Sequence, residues 1–540
     1  MEAIAILLFA AAVAYGVAHL LRVPSIPVLL FTGVGLTLTQ PLPAGLVQDT
    51  LVLGTTLLLF ATGIELNPQR IRAQRVTAAR VGAVQFLLLG AAGLLAALML
   101  GYGTVPAMYM ALALTASSTL VVVRLLQQRR QMFEPFGRLV LGVLLLQDLL
   151  VLLLVPVVMN LSGGLLPVLV GVGSTLALVG LAWVTYRWIA PLIQRLDREE
   201  EVILLVLLAV LFVFVALADV LELPLVTGAF LAGVAMSRFP LNGMARAHLG
   251  SIAEFFSALF FIALGALIGI PSGLELLHAL ILVAVMIGVT VPLVTVIAER
   301  AGMPSRAAIE SGLLLAQTSE ISLIIGLFGL IGGQISRSVF TVIALVTLVT
   351  MLLTPGMSSD AMAWRLMRRR RTRAIPQRRN VDRDLPVENH ILILGSGATG
   401  MPLLETVLGM GHEILVIDDD PVVIERLRDA DIPCLRGDAS DINLLMRAGA
   451  DRARIITSTI RRAQDNRRLL EFTRGVPALI RVFDAADAKW IRELGGTPVM
   501  ASLAAGSEMM KWFDREFVAD DSRQASPADV TIPAAGSDRD

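Results

Sequence analysis

Asp148 stands in Leu144-Leu145-Leu146-Gln147-Asp148-Leu149-Leu150-Val151-Leu152-Leu153, a run apolar enough to cross a bilayer. A carboxylate at that depth costs at least about 2.5–3.5 kcal/mol on insertion scales, so it faces a bundle interior or a wet cavity and is a candidate carrier of a proton or a cation. Two more apolar runs are interrupted near their middles, at Leu114-Thr115-Ala116-Ser117-Ser118-Thr119-Leu120 and at Leu315-Ala316-Gln317-Thr318-Ser319-Glu320-Ile321-Ser322. Interrupted segments at corresponding places in two halves of a membrane protein point to a transporter site built from broken helices. Their unpaired backbone groups can hold a dehydrated cation. The plain alternative is that these hydroxyls bond neighbouring turns; the coincidence with Asp148 favours the ion site. The candidate shell is Asp148, Gln147, Ser117, Ser118, Thr119, Gln317, Ser319 and Glu320, with the cation at Asp148. Glu320 fits a second titrating group and a partner for a helix end equally well. Glu65 reads as a partner for a nearby arginine, and Asp219 and Glu254 as solvated or capping groups.

A second chemistry appears downstream. His390-Ile391-Leu392-Ile393-Leu394 reads as a buried strand, Gly395-Ser396-Gly397-Ala398-Thr399-Gly400 follows at once, and Met401 to Met410 reads as a helix. The next strand ends at Asp418, 18 residues after the third glycine. That context is what a dinucleotide site needs: phosphates over a helix N-terminus and a carboxylate on ribose hydroxyls. Asp418 favours an unphosphorylated ribose, hence NAD(H) or an adenosine nucleotide such as AMP. Asp419, Asp438 and Ala439 are further cofactor candidates. A doubly wound domain that has lost its ligand is the alternative.

The elements that must position these groups follow from composition. The chain has 540 residues, 56% hydrophobic, with mean hydropathy +0.77, which indicates a polytopic α-helical membrane protein. Net charge is zero, which argues against a nucleic-acid partner. A single cysteine, Cys434, excludes an internal disulfide and reads as a small buried hydrophobe. About 13 apolar segments are predicted, near 2–21, 24–41, 50–65, 79–101, 104–123, 136–160, 163–188, 200–220, 223–238, 251–270, 274–298, 306–333 and 338–360. With the N-terminus outside, every inside loop carries arginine, from Arg22 through Arg70, Arg124, Arg187 and Arg238 to Arg300 and Arg306. Only Arg337 falls outside. This alternation supports an odd helix count and a cytoplasmic C-terminal domain.

The membrane part resembles the cation:proton antiporter 2 family, especially its Kef-type potassium/proton antiporters. The resemblance rests on Leu58-Leu59-Phe60-Ala61-Thr62-Gly63-Ile64-Glu65-Leu66, Ser117-Ser118-Thr119, Gln147-Asp148, Gly228-Ala229-Phe230-Leu231-Ala232-Gly233-Val234, Phe260-Phe261-Ile262-Ala263-Leu264-Gly265 and Gln317-Thr318-Ser319-Glu320-Ile321-Ser322. It implies an inverted-repeat Na+/H+ antiporter fold with two crossed broken helices, and a homodimer in a bacterial inner membrane. In the family the aspartate at Asp148 binds cation and proton alternately, and Gln147 before it suits the potassium-favouring subgroup. Thr318 and Ser319 replace the usual Gly-Gly. The interior of 274–298 holds no lysine or arginine, so Asp148 lacks the counter-charge some members place there.

Residues 388–515 are similar to the regulator-of-potassium-conductance (RCK) N-terminal domain, through Ile417-Asp418-Asp419-Asp420-Pro421, Gly437-Asp438-Ala439-Ser440 and the later strands at Ile455 and Ile480. The expected organisation is an exchanger domain over 1–360, a basic cytoplasmic linker over 361–386, a Rossmann-like RCK N-terminal domain over 387–517 and a disordered tail over 518–540. The expected activity is potassium efflux against protons, gated by a small-molecule nucleotide, with membrane lipid and an ancillary regulatory protein as partners. Sodium/proton exchange is the rival within the class. A nucleotide-gated potassium channel is the rival outside it, but no Thr-Val-Gly-Tyr-Gly filter is present. An enzyme is not expected: His390 and His412 flank strands as surface or edge residues, with no substrate domain beside them.

Overall fold

The computed structural model describes residues 2–21, 23–39, 43–65, 75–129, 131–132, 135–160, 164–189, 200–237, 241–268, 270–301, 303, 305–369, 388–396, 400–409, 411–460, 463–483, 485–500, 507 and 509–510. It divides into two compact units, Met1–Ala374 and Ile375–Asp540.

The first unit is helical. Its helices are α1 (Glu2–Leu21), α2 (Ser25–Thr39), α3 (Ala44–Glu65), α4 (Arg75–Met99), α5 (Thr104–Thr115), α6 (Thr119–Gln128), α7 (Pro135–Asn160) and α8 (Leu165–Val184), which ends in a π turn. Then come α9 (Glu200–Val220), α10 (Leu225–Ala235), α11 (Leu241–Leu267), α12 (Gly273–Arg300), α13 (Ser305–Leu315), α14 (Glu320–Ile331), α15 (Arg337–Met357) and α16 (Asp360–Arg369). Among the described residues, nine helical stretches are long and apolar enough to cross a membrane, and four shorter apolar helices accompany them. Together they coincide with the thirteen predicted segments. The chain is a polytopic membrane protein.

Hydrophobic residues run all round several of these helices. Leu20, Leu165 and Val220 are 82%, 75% and 79% exposed, as expected where lipid rather than water is the neighbour. Helices approach closely where glycine removes the side chain. A Cβ on Gly63 of α3 would lie 2.3 Å from the Phe230 carbonyl of α10, and one on Gly33 of α2 would lie 2.1 Å from the Ile262 carbonyl of α11. The partners Gly233 and Gly265 return the same contact, so one crossing motif twice joins an early helix to a late one.

Two differences from the sequence expectation stand out. Residues 361–369, assigned to the basic linker, belong to helix α16, whose Ala363 packs with Ile309 and Leu313 of α13. Arg306, counted as a loop charge, is 3% exposed within α13 and paired at 3.1 Å with Glu310, itself 1% exposed. The rest of the linker and the tail over 518–540 lie outside the described residues.

The second unit is a six-stranded, all-parallel sheet with helices between the strands. It comprises β1 (Ile391–Leu394), α17 (Gly400–Leu408), β2 (Ile414–Asp418), α18 (Pro421–Asp429), β3 (Cys434–Arg436), α19 (Ile442–Arg447), β4 (Ile455–Ser458), α20 (Ala463–Phe472), β5 (Ala478–Val482), α21 (Ala485–Glu493) and β6 (Thr497–Met500). The strand order is β3-β2-β1-β4-β5-β6. Both faces of β1 and β2 are buried, which explains their continuous apolar sequences. The order reverses between β1 and β4, the switch point at which such sheets bind ligands.

Candidate ion site and nucleotide cradle

Helix α5 stops at Thr115 because Ala116 turns extended, with φ −85° and ψ 125°. Helix α6 restarts at Thr119, and the Ser118 hydroxyl accepts from the Val121 N–H to cap it. The second break has the same grammar. Helix α13 stops at Leu315, and Ser319 caps α14 in a reciprocal box with Ser322. Serine does this because its hydroxyl competes with the helix for backbone N–H groups.

The two breaks are knitted together. Ser117 Oγ donates to the Leu315 carbonyl at 2.8 Å, Ser322 Oγ to the Ala113 carbonyl at 2.5 Å, and Ser118 Oγ to Glu320 Oε2 at 2.8 Å. That last pair is 202 residues apart in sequence. Thr119 Oγ1 donates to Asp148 Oδ2 at 3.0 Å, which brings the buried carboxylate of α7 to the first turn of α6. All eight predicted ion-site residues are therefore buried in one region around the breaks. Their jobs differ. Ser117 bridges the breaks, Ser319 caps α14, and Ser118 does both by holding Glu320. Thr119 is the hydroxyl that reaches Asp148.

Thr318, one of the two departures from Gly-Gly, is an anchor. Its Oγ1 lies 3.0 Å from Thr347 and 3.2 Å from Thr350 of α15. Gln147 is fully buried, and neither of its amide atoms has a hydrogen-bond partner among the described residues. Gln317 keeps one weak bond, from Nε2 to the Leu314 carbonyl at 3.4 Å, and its Oε1 has none. An unmatched buried polar group costs about 1–3 kcal/mol, so a cluster of them asks for a reason.

Sequence reasoning does not single out Gln85, Thr290 or the Arg306–Glu310 pair. Gln85 is an isolated amide in the apolar run of α4, and that isolation was a readable signal. The ion pair was not readable, since Arg306 and Glu310 look like the solvated start of a helix. Glu254, expected to be solvated, forms an exposed pair with Arg124 at 3.7 Å. The side chain of Glu65 lies outside the described residues.

In the second unit, Gly395 ends β1 with φ +80°, a left-handed conformation that favours glycine. A Cβ on Gly400 would lie 2.2 Å from the Gly395 carbonyl, so the third glycine is needed for the close return of α17. Gly397, Ala398 and Thr399 lie outside the described residues. Thr459, after β4, donates to the Gly395 carbonyl at 2.7 Å and so ties the loop across the switch point.

Asp418 ends β2 as expected, and its carboxylate is engaged by its own chain. Oδ2 accepts from the Ser396 N–H at 2.7 Å and its hydroxyl at 3.3 Å; Oδ1 accepts from the Asp420 N–H at 2.9 Å. Oδ1 accepts only one of these bonds and retains a lone pair for a ribose hydroxyl, so the residues present fit a nucleotide. Burial pushes the Asp418 carboxyl above its usual range, against the lowering effect of those N–H bonds. Asp438 Oδ1 folds back onto the Ser440 N–H and hydroxyl at 2.9 and 2.6 Å, with Ala439 buried beside it.

His390 is a correction. It was expected at the surface and is 1% exposed, and burial pushes its pKa down. It precedes β1 in the middle of the sheet, where no side is left open. Cys434 is buried as read, and burial pushes its thiol pKa up, so it is not an activated thiolate.

Residues 4–363 match the family model described as sodium/hydrogen exchanger, transmembrane, and residues 391–500 match the TrkA-N domain. The glutathione-regulated potassium-efflux system protein KefC of Klebsiella pneumoniae is 27% identical over 425 residues, covering 76% of this chain and 66% of the relative. Its namesake from Salmonella schwarzengrund is 26% identical over 434 residues, covering 78% and 68%. The chain thus spans about two thirds of the length of the curated relatives it matches. Among solved structures, the sodium proton antiporter MjNhaP1 from Methanocaldococcus jannaschii superposes with a TM-score of 0.54 at 16% identity, covering 68% of this chain and 99% of that one. That likeness supports the fold of the membrane unit. The chain belongs to the sodium/hydrogen exchanger transmembrane family and carries a C-terminal TrkA-N domain.

Proposed function

We propose that the chain is a secondary active antiporter that lets potassium out in exchange for protons, gated by a nucleotide on its C-terminal domain. The observation that carries this reading is Asp148. It is buried to 1%, held by Thr119, and placed where the two broken helices are stitched together. A proton or a monovalent cation each neutralises that carboxylate, and the two exclude one another there. One cation therefore leaves for each proton that enters. The relatives' printed name supports potassium as the cargo.

Rocking of the unit that holds the breaks would present the same site to either side. Asp148, Gln147 and Thr119 would hold the ion. Ser117, Ser118, Ser319 and Glu320 would keep the breaks in register, and Gln317 would supply a further amide.

The cradle at Gly395, Ser396, Gly400 and Asp418 would take NAD(H) or AMP as a regulatory ligand, with Asp419, Asp438 and Ala439 along the carboxyl ends of β2 and β3. Those residues bind and orient; none is assigned a bond-breaking step, so the domain is a sensor rather than an enzyme. The loop arginines support an N-terminus outside a bacterial inner membrane, a cytoplasmic C-terminal domain and surrounding lipid. The family supports a homodimer.

The test is proton flux in proteoliposomes against potassium, sodium or neither, with and without NAD(H) and AMP. The reading expects potassium-driven proton movement that changes when nucleotide is added. Sodium-driven flux alone would reassign the cargo. Potassium current without proton movement would overturn the reading.

A further inference from the structure

Three helices of the membrane unit and the broken pair α13–α14 pass through two separate apolar clusters, with polar side chains between them. The first cluster contains Val81 of α4, Val143 and Leu144 of α7, Val294 of α12 and Leu315 of α13. The second contains Leu89 of α4, Val151 of α7, Met286 of α12 and Ile321 of α14. Just beyond the first cluster, each chain segment carries a buried polar residue. Gln85, Gln147 and Asp148 lie one turn past Val81, Val143 and Leu144, and Gln317 sits two residues past Leu315, in the break itself. Helix α12 runs the other way, so Thr290 lies one turn before Val294. A turn is about 5.4 Å, so these residues share one level.

Close packing fixes the level of Gln85. A Cβ on Gly82, one turn earlier on α4, would lie 3.0 Å from Leu146 Cδ2 of α7 and 3.6 Å from the Val143 Cα. Residues three apart share a helix face, so Gln85 faces α7 at the height of Gln147. Gln85 and Thr290 are both 0% exposed. Neither amide atom of Gln85 nor the Thr290 hydroxyl has a hydrogen-bond partner among the described residues. Pro292, two residues beyond Thr290, lacks the N–H that would bond the Gly288 carbonyl, so α12 loses a backbone bond beside this level.

We infer that Gln85 and Thr290 are cation ligands in the layer that contains Asp148, and that they determine which monovalent cation is held there. The inference rests on the antiporter reading above. The layer offers amide and hydroxyl oxygens around one carboxylate, donors suited to a dehydrated alkali cation. Divalent cations call for more carboxylate charge. The interior of α12 carries no lysine or arginine, and Thr290 puts a neutral oxygen on that helix. A merely structural amide would be bonded; these stay unmatched, as groups waiting for an ion do.

The test uses the full chain in detergent and in proteoliposomes. Thermal unfolding is followed while potassium or sodium chloride replaces choline chloride at constant ionic strength. In the wild type the alkali cation raises the midpoint, because a ligand that binds the native state stabilises it. Gln85→Leu and Thr290→Val are expected to shift the half-saturating cation concentration up by about tenfold each, the equivalent of one lost ligand bond. The KM for cation should rise in step, more than kcat falls, and the potassium-to-sodium ratio should change. Thr290→Ser should restore the wild-type value. In choline the apolar variants should unfold no earlier than the wild type, since they remove unmatched polar atoms. If Gln85→Leu does not fold, Gln85→Met and Thr290→Val are read instead.

Unchanged half-saturation, or a fall in kcat with KM intact, overturns the inference. Asp148→Asn is run alongside to separate the two claims. If it retains exchange, the assignment of Asp148 as the carrier fails too; if it abolishes exchange while the Gln85 and Thr290 variants bind as wild type, only this inference fails.

Discussion

The two broken helices are built alike and braced differently. Each break is a short extended stretch closed by a serine cap, Ser118 for α6 and Ser319 for α14. Each is tied to the helix that follows its half. The first tie is Thr119 to Asp148 of α7, a hydroxyl on a carboxylate. The second is Thr318 to Thr347 and Thr350 of α15, hydroxyl on hydroxyl. The first tie ends on a group whose charge can change; the second ends on groups whose charge cannot. The repeat therefore supplies a scaffold twice and a carrier once. The two substitutions of the Gly-Gly pattern belong to the scaffold, because Thr318 and Ser319 both bond within the protein.

That contrast can be broken deliberately. Asp148→Thr would make the first tie resemble the second. We expect cation-driven proton flux in proteoliposomes to fall to the empty-vesicle level while the protein remains folded, as judged by its elution and thermal midpoint. Ser118→Ala removes a hydroxyl that donates to the Glu320 carboxylate and caps α6. A bond to a charged group is worth about 1.5–3 kcal/mol, so the thermal midpoint should drop clearly. Thr318→Val removes only neutral bonds worth about 1 kcal/mol, and should lower the midpoint less while exchange survives. Equal losses from these two variants would erase the proposed difference between the halves.

The smallest effect is expected in the C-terminal unit. Buried His390 has a lowered pKa, so its stabilising neutral state is fully present above the unfolded value of about 6.5. That contribution is lost as pH falls through the folded value. His390→Phe should flatten the acid side of the C-terminal unit's unfolding profile, measured by hydrogen exchange on its peptides.

Much of the fold was legible because the membrane writes it in composition. Thirteen apolar runs and the glycine–acid spacing before Asp418 each have one physical reading. Asp148 and the two breaks were visible as polar residues where polarity is expensive. What could not be read was pairing. Nothing local says that Ser118 meets Glu320, that Thr318 finds α15, or that Arg306 and Glu310 bury each other. His390 was misplaced because a residue before a strand reads as an edge until the strand is known to be central. The first part of the linker was misread because its arginines hide the apolar side of α16, where Ala363 meets α13.

The central claim is that Asp148 holds a proton or a cation and never both. Purified protein in weakly buffered solution is titrated with potassium chloride while free protons are followed with a pH indicator, with choline chloride as control. The account predicts proton release that saturates with potassium in the wild type and disappears in Asp148→Asn. Release of the same size in Asp148→Asn would contradict it.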